Sequence, residues 1–257
     1  MSNKQRSAFD CDDCVARCAA ALRAALPQRC ALCAGPAGAR LVCRSCARGL
    51  PRPVAPCPVC ALPTGAAVVR GSATPICGAC LAHPPPYAAT LAAFVYAYPV
   101  DRLLQALKYG GRVALAEFAG AELAAAVATA LVVEPSTRSP RLVCAMPLAP
   151  ARQRERGFNQ AQELARRVAS ALALPLAAPI QRCRHGAPQA SLAWSARARN
   201  VAGAFVCTGD VQGQRIALID DVMTTGATVA AAARALLDAG AAAVEAWVVA
   251  RTLPPVH

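Results

Sequence analysis

After the HPPPY stretch, His83 to Tyr87, short apolar runs (LAAFVYAY, RLVCAMP, RIALIDD, AVEAWVVA) alternate with Ala/Leu-rich segments of helix length. Strand-length runs separated by helix-length segments are the signature of βαβ units on a mostly parallel sheet. The pattern therefore predicts an α/β domain over residues 85–257, with a five-strand-class, mostly parallel sheet flanked by helices. Leu142 to Met146 reads as a strand, followed by a loop carrying Arg152, Arg154 and Arg156 and a helix from about Asn159. Ile216 to Ile219 reads as a second strand, followed by a polar turn and a helix from about Ala227. The Pro and Ser of Glu134 to Arg141 break both helix and strand, which predicts a surface loop. The longest apolar stretch, Phe118 to Val133, contains Glu122 and falls short of the roughly 20 residues that span a bilayer, so no membrane insertion is expected.

Before His83 the pattern is different. This part is rich in Pro and Gly, has no apolar periodicity long enough for a core, and holds eleven of the fourteen cysteines. Its first residues, MSNKQRSAFDCDDC, contain no apolar export region, so the expected compartment is the reducing cytoplasm, where clustered thiols bind metal. Four C-x-x-C units follow in order: Cys30/Cys33, Cys43/Cys46, Cys57/Cys60 and Cys77/Cys80. Two intervening residues make a tight knuckle that aims both sulfurs at one point, as tetrahedral Zn²⁺ requires. Eight sulfurs supply two closed structural sites. The pairing is sequential or cross-braced, and the spacing fits both. Residues 28–84 are thus expected to form a double zinc-ribbon-like module, stabilised by metal in place of apolar burial. Residues 1–27 read as a helical segment, with Cys11, Cys14 and Cys18 on one face as small buried hydrophobes in preference to a third metal site.

The most informative segment is RIALIDDVMTTGATVAAAARALL, Arg215 to Leu237. It is a strand, a loop at the strand's carboxyl end, and a helix, which is where open α/β sheets bind ligands. Consecutive N–H groups in a Thr-Thr-Gly turn entering a helix form an anion site. Gly226 allows close backbone approach, and Thr224, Thr225 and Thr228 add hydroxyl donors. The adjacent carboxylates Asp220 and Asp221 need partners such as vicinal hydroxyls or a cation. Three arginines in the 152–156 segment suit a diphosphate, because guanidinium forks match phosphate oxygens bidentately. Lys108, in LKYGGR, is either a further anion contact or an ordinary helix C-terminal lysine.

DDVMTTGAT resembles the phosphoribosyl-pyrophosphate (PRPP) motif of type I phosphoribosyltransferases. The C-x-x-C pairs, LKYGGR, MPLAPARQRERGFNQAQ and QASLAWSARARNVAGAF follow the order seen in ComF-type proteins, bacterial phosphoribosyltransferase-like proteins associated with competence and DNA uptake. The resemblance implies that PRPP is bound by Asp220, Asp221, Val222, Met223, Thr224, Thr225, Gly226, Ala227 and Thr228. The two aspartates, which carry the reaction, would hold the ribose hydroxyls, and Thr224 to Thr228 the 5′-phosphate. Mg²⁺ would bridge ribose and diphosphate. Arg156, Gly157 and Asn159, with Lys108, would lie on the diphosphate side. A hood from residues 91–115, with or without the zinc module, would read the acceptor base, but no purine or pyrimidine pocket is recognisable. His83, His185 and His257 form no constellation.

Composition modifies this picture in one respect. The chain of 257 residues is 56% hydrophobic but only 4% aromatic, which excludes a disordered chain. Its formal charge is +13, and every basic residue except Lys4 and Lys108 is arginine. Eleven arginines against Glu155 and Glu163 lie between Arg138 and Arg199. Beyond a diphosphate, such a stretch suits a nucleic-acid backbone. Single-stranded DNA is therefore a candidate partner, and the ComF resemblance adds DNA-uptake proteins. The alternative functions are a nucleic-acid-binding accessory protein and a PRPP sensor without catalysis.

Overall fold

The computed structural model describes residues 28–65, 74–133, 140–183 and 203–254. Cys11, Cys14, Cys18, His185, His257, most of the expected 134–141 loop and most of the 189–205 motif lie outside the described residues. The chain forms two compact units that divide between Leu50 and Pro51.

In the first unit, β1 (Gln28–Arg29) and β2 (Pro36–Gly38) pair as a short antiparallel hairpin. Helix α1 (Arg44–Arg48) follows, capped by the Cys43 sulfur, which accepts from the Cys46 amide. Among the described residues of this unit, Cys30, Val42, Ala47 and Leu50 are buried.

The second unit opens with the Cys57/Cys60 knuckle and α2 (Gly78–Ala82). Chain order then runs β3 (Ala89–Val95), α3 (Val100–Tyr109), α4 (Leu115–Val133), β4 (Leu142–Ala145), α5 (Pro150–Arg156), α6 (Gln160–Leu172), β5 (Leu176–Ala177), β6 (Ile180–Arg182), β7 (Phe205–Cys207), β8 (Arg215–Met223), α7 (Ala227–Asp238) and β9 (Ala243–Arg251). Five strands form one parallel sheet in the order β3-β9-β8-β4-β5, and β6-β7 is a separate antiparallel pair. The change of texture near residue 85 thus marks the start of the sheet, while the segment carrying the second cysteine quartet folds with it.

Strands β8 and β9 read as nearly unbroken apolar runs because helices cover both faces. Ile216, Leu218, Ile219, Val244, Trp247 and Val248 are fully buried. Helix α4 is long and apolar enough to cross a membrane by length and composition. In this fold it is a core helix: Leu115, Leu123 and Val127 are buried, and it packs on α6 and the sheet. Gly120 makes that approach possible, since a Cβ there would lie 2.8 Å from Arg167 Cβ.

One expectation is corrected. The segment carrying Arg152, Arg154 and Arg156 is a helix, α5, and not a loop. Pro150 sits in the first turn, where its missing N–H costs nothing. Gly157, at φ 77°, ends the helix with its N–H on Gln153 O. The expected hood is likewise partly sheet, because residues 91–95 belong to edge strand β3.

Candidate functional site

Pairing of β4 with β8 stops at Ala145↔Ile219, whereas β8 continues beside β9 to Met223↔Arg251. From β4 the chain turns outward to β5, and from β8 it turns the other way to β9. The crevice between those carboxyl ends is the switch point at which open α/β sheets take ligands. A cleft of about 300 Å³ lies there. Its lining includes Lys108, Arg156, Asn159, Asp220, Asp221, Val222, Met223, Thr224, Gly226, Ala227 and Thr228. Thr225 and Gly157 are not part of that lining. The Thr225 hydroxyl instead accepts from the Ala227 amide, 3.2 Å, and helps start α7.

Because β8 outruns β4, its acidic pair projects into the cleft. Burial first, and the neighbouring Asp221 charge second, push the Asp220 carboxyl up to about 7, although the Asp221 amide donates to its Oδ1 at 2.9 Å. Lys108 Nζ lies 2.9 Å from Asp221 Oδ2. Burial opposes the Lys108 charge, but Asp221 outweighs it and the ammonium titrates above its usual range. The helix-terminal lysine is therefore directed into the acidic centre.

Gly226, at φ 82°, forms the N-cap of α7 and directs the first-turn amides of that twelve-residue helix at the cleft. A Cβ at this position would lie 2.7 Å from Met223 Cε and 2.8 Å from the Tyr87 hydroxyl, so glycine is required on two counts.

Opposite, Arg156 donates to Gln160 Oε1 (3.1 Å) and the Tyr109 hydroxyl (3.0 Å), and its guanidinium lies 4.8 Å from the centre of the Tyr109 ring. Asn159 caps α6 through Oδ1, which accepts from Ala161 N, while its Nδ2 donates to Met146 O. It therefore fixes the cleft wall. Tyr96, Tyr109, Arg152, Gln160 and Arg182 also line the cleft. Gln160 Nε2 and Arg182 Nε are buried donors without a partner among the described residues. Two orphan donors on one cleft wall call for an acceptor-rich ligand. The position of Tyr109 beside Lys108 is a usable sequence signal; Arg182 carries none, since only the β6-β7 pair brings it here.

The cysteines separate into two quartets, Cys30/Cys33/Cys43/Cys46 and Cys57/Cys60/Cys77/Cys80, each with all sulfurs within 4.8 Å of one another. The pairing is sequential and not cross-braced. Cys33 and Cys43 sulfurs lie 3.9 Å apart, and Cys60 and Cys77 sulfurs 3.6 Å. A tetrahedron with Zn–S near 2.3 Å has an edge of about 3.8 Å. Burial would raise the Cys30 thiol, but the amides of Cys33, Cys43 and Leu32 bring it down to about 6. Cys57 is held near 7 in the same way, against burial, by the amides of Cys77, Cys60 and Val59. In each quartet another thiol is driven up: Cys46 to about 12 by hydrogen bonds to the Cys43 and Cys33 sulfurs, and Cys80 by burial. Four sulfurs this close ionise together only around a dication, so both donor sets fit structural zinc.

Residues 21–81 match the family described as "Double zinc ribbon domain", and residues 154–253 the one described as "Phosphoribosyl transferase domain". The "DNA utilization protein YhgH" of Salmonella typhi is 36% identical over 220 residues, covering 82% of this chain and 91% of that protein. The chain belongs to the ComF family. Another ComF relative, YhgH of Escherichia coli K12, is 34% identical over 89% of this chain and 99% of its own length. "Competence protein F" of Haemophilus influenzae is 29% identical over 68% and 78%. Among solved structures, glutamine PRPP amidotransferase from B. subtilis matches at 19% identity and a TM-score of 0.33, over 51% of this chain and 25% of that one. This ComF chain thus joins cysteine quartets suited to zinc with a phosphoribosyltransferase-type α/β domain.

Proposed function

We propose that this protein binds PRPP in the switch-point cleft, with the 5′-phosphate on the amides of Thr224 to Thr228 and the hydroxyls of Thr224 and Thr228, and the ribose hydroxyls on Asp220 and Asp221. The observation that carries the reading is the juxtaposition of that acidic pair with the N-terminus of α7 at the end of β8. Arg156 and Arg152, with the orphan donors of Gln160 and Arg182, then face the diphosphate. Asn159 positions this wall, and Gly157 ends the helix that carries Arg156.

The hard carboxylate oxygens of Asp220 suit Mg²⁺, which such sites hold by one or two carboxylates together with substrate phosphates. When bound, the ion neutralises diphosphate charge. The protein's own part in a phosphoribosyl transfer is electrostatic. Lys108 and the arginines stabilise departing diphosphate charge, the aspartates hold the ribose, and the cleft walls limit water. Tyr96 and Tyr109 give the acceptor side flat apolar surfaces. The reaction class is phosphoribosyl transfer to an acceptor ring, carried out in the cytoplasm.

Calorimetric titration with PRPP and Mg²⁺, comparing wild type with Asp220→Ala/Asp221→Ala, tests the reading. The double variant removes several charge-assisted hydrogen bonds worth about 1.5–3 kcal/mol each, so PRPP is expected to bind no more tightly than pyrophosphate. Equal binding by both proteins would refute the assignment.

A second reading draws on the relatives' names and on one feature of the cleft mouth. Tyr109, exposed at the cleft, stacks against Arg156 of the arginine-rich α5, a combination that suits single-stranded DNA during DNA uptake. Retention of a DNA oligomer whose log affinity falls linearly with log salt would support it; salt-independent or absent binding would remove it.

A further inference from the structure

Arg251 closes β9 at 2% exposure. Its guanidinium reaches in two directions and donates to four backbone carbonyls. Nε donates to Cys60 O at 2.7 Å; Nη1 donates to Met223 O at 2.9 Å, to Thr224 O, and to Thr252 O at 3.0 Å. Cys60 belongs to the second cysteine quartet, and Met223 and Thr224 open the phosphate-binding loop. One buried side chain thus ties the metal knuckle to the loop.

A buried cation with no carboxylate in hydrogen-bond contact is costly unless another negative group lies close. Zinc held by four thiolates is a net dianion, and the quartet containing Cys60 is the neighbouring group that can supply the charge. Arg251 therefore stands outside the metal ligands but is directed by them. The knuckle makes two further contacts with the sheet. Thr90 N donates to Pro58 O at 3.0 Å, and its hydroxyl to Val59 O at 2.7 Å. The same hydroxyl lies 3.9 Å from Met223 Sδ, and Met223 Cε packs where a side chain at Gly226 would be. Three consecutive knuckle carbonyls, at Pro58, Val59 and Cys60, are thus taken by Thr90 and Arg251, which also touch the loop.

We infer that Arg251 is a positioning residue through which the metal-bound second knuckle sets the phosphate-binding loop, so that zinc at Cys57/Cys60/Cys77/Cys80 and PRPP in the cleft bind with positive coupling. The inference rests on the PRPP reading above. Coupling of this kind is reciprocal. Zinc strengthens PRPP binding, and PRPP retains zinc by the same factor. Metal loss at this quartet would then lower ligand affinity without removing any group that touches PRPP.

The test follows zinc release to a colorimetric chelator from the full-length, zinc-loaded protein, with and without saturating PRPP and Mg²⁺. It is run on wild type, Arg251→Gln and Arg251→Lys, with calorimetric PRPP affinity measured alongside. In wild type, PRPP is expected to slow release of one of the two zinc equivalents about tenfold. Arg251→Gln is expected to abolish that protection and weaken PRPP binding about tenfold. Arg251→Lys, which keeps the charge and some of the donors, restores part of both, as a purely structural defect would not. PRPP binding to wild type with unchanged release of both zincs overturns the coupling, as does Arg251→Gln binding PRPP like wild type. If Arg251→Gln does not fold, the wild-type release comparison alone decides. If wild type binds no PRPP, the reading of the cleft falls, and the coupling with it.

Discussion

Asp220 is placed where its charge destabilises the ligand-free fold. Its carboxyl titrates near 7 in the folded chain, against 3.8 for an ordinary aspartate, because it is buried beside Asp221. A carboxyl whose folded pKa is raised favours folding most below its unfolded pKa, and that contribution is lost as pH rises through the folded value. Asp220→Asn keeps the shape and the acceptor for the Asp221 amide but cannot ionise. The variant is therefore expected to be more stable than wild type at alkaline pH, with the advantage shrinking on acidification. Between pH 5.5 and pH 8 the difference grows by about 2 kcal/mol, taking 1.36 kcal/mol per unit of pKa. For a unit of this size that is an increase of about 4–8 °C in the melting-temperature gap. Calorimetric unfolding of both zinc-loaded proteins across that range, without ligand, measures it. A gap that stays constant with pH, or a variant less stable at pH 8, would refute the placement of a strained carboxylate at this position.

Two further outcomes follow from the same geometry. Gly226→Ala forces a side chain into the left-handed region against Met223 and Tyr87, which is expected to cost about 2 kcal/mol in thermal unfolding and to weaken PRPP binding in calorimetry. Unchanged affinity would show that the loop does not hold the phosphate. Lys108→Met leaves Asp221 without its 2.9 Å partner, and is expected to lower stability by about 2 kcal/mol at neutral pH. Lys108 also favours the Asp220 carboxylate, so that part of the loss should diminish as pH falls below about 7, and a variant as stable as wild type at pH 8 would argue against the ion pair.

Much of this site could be read in the chain because its parts are local. The run from Ile216 to Thr228 carries strand, carboxylates, glycine turn and helix start within a few residues, and the fold keeps them in that order. The C-x-x-C units are equally legible as two clusters suited to zinc, but their pairing is not, since sequential and cross-braced arrangements share the same spacing. The arginines after Pro147 read as loop in the sequence because the helix-start signal, Pro150 in a first turn, is weak beside five polar residues. Arg182 and Arg251 were invisible for a different reason. Each acts through neighbours far away in sequence, the Cys60 carbonyl lying 191 residues from Arg251. An arginine ending an interior strand that is apolar apart from Glu245 is the signal that points to the latter.

The most direct test compares the affinities of PRPP, ribose 5-phosphate and pyrophosphate for the Mg²⁺- and zinc-loaded protein in one calorimetric series. A cleft that holds phosphate, ribose diol and diphosphate together binds PRPP more tightly than either fragment. Asp220→Ala/Asp221→Ala should reduce PRPP to the level of pyrophosphate. Equal affinities for PRPP and pyrophosphate in wild type, unaffected by the two aspartates, would mean a general anion cleft and contradict the account.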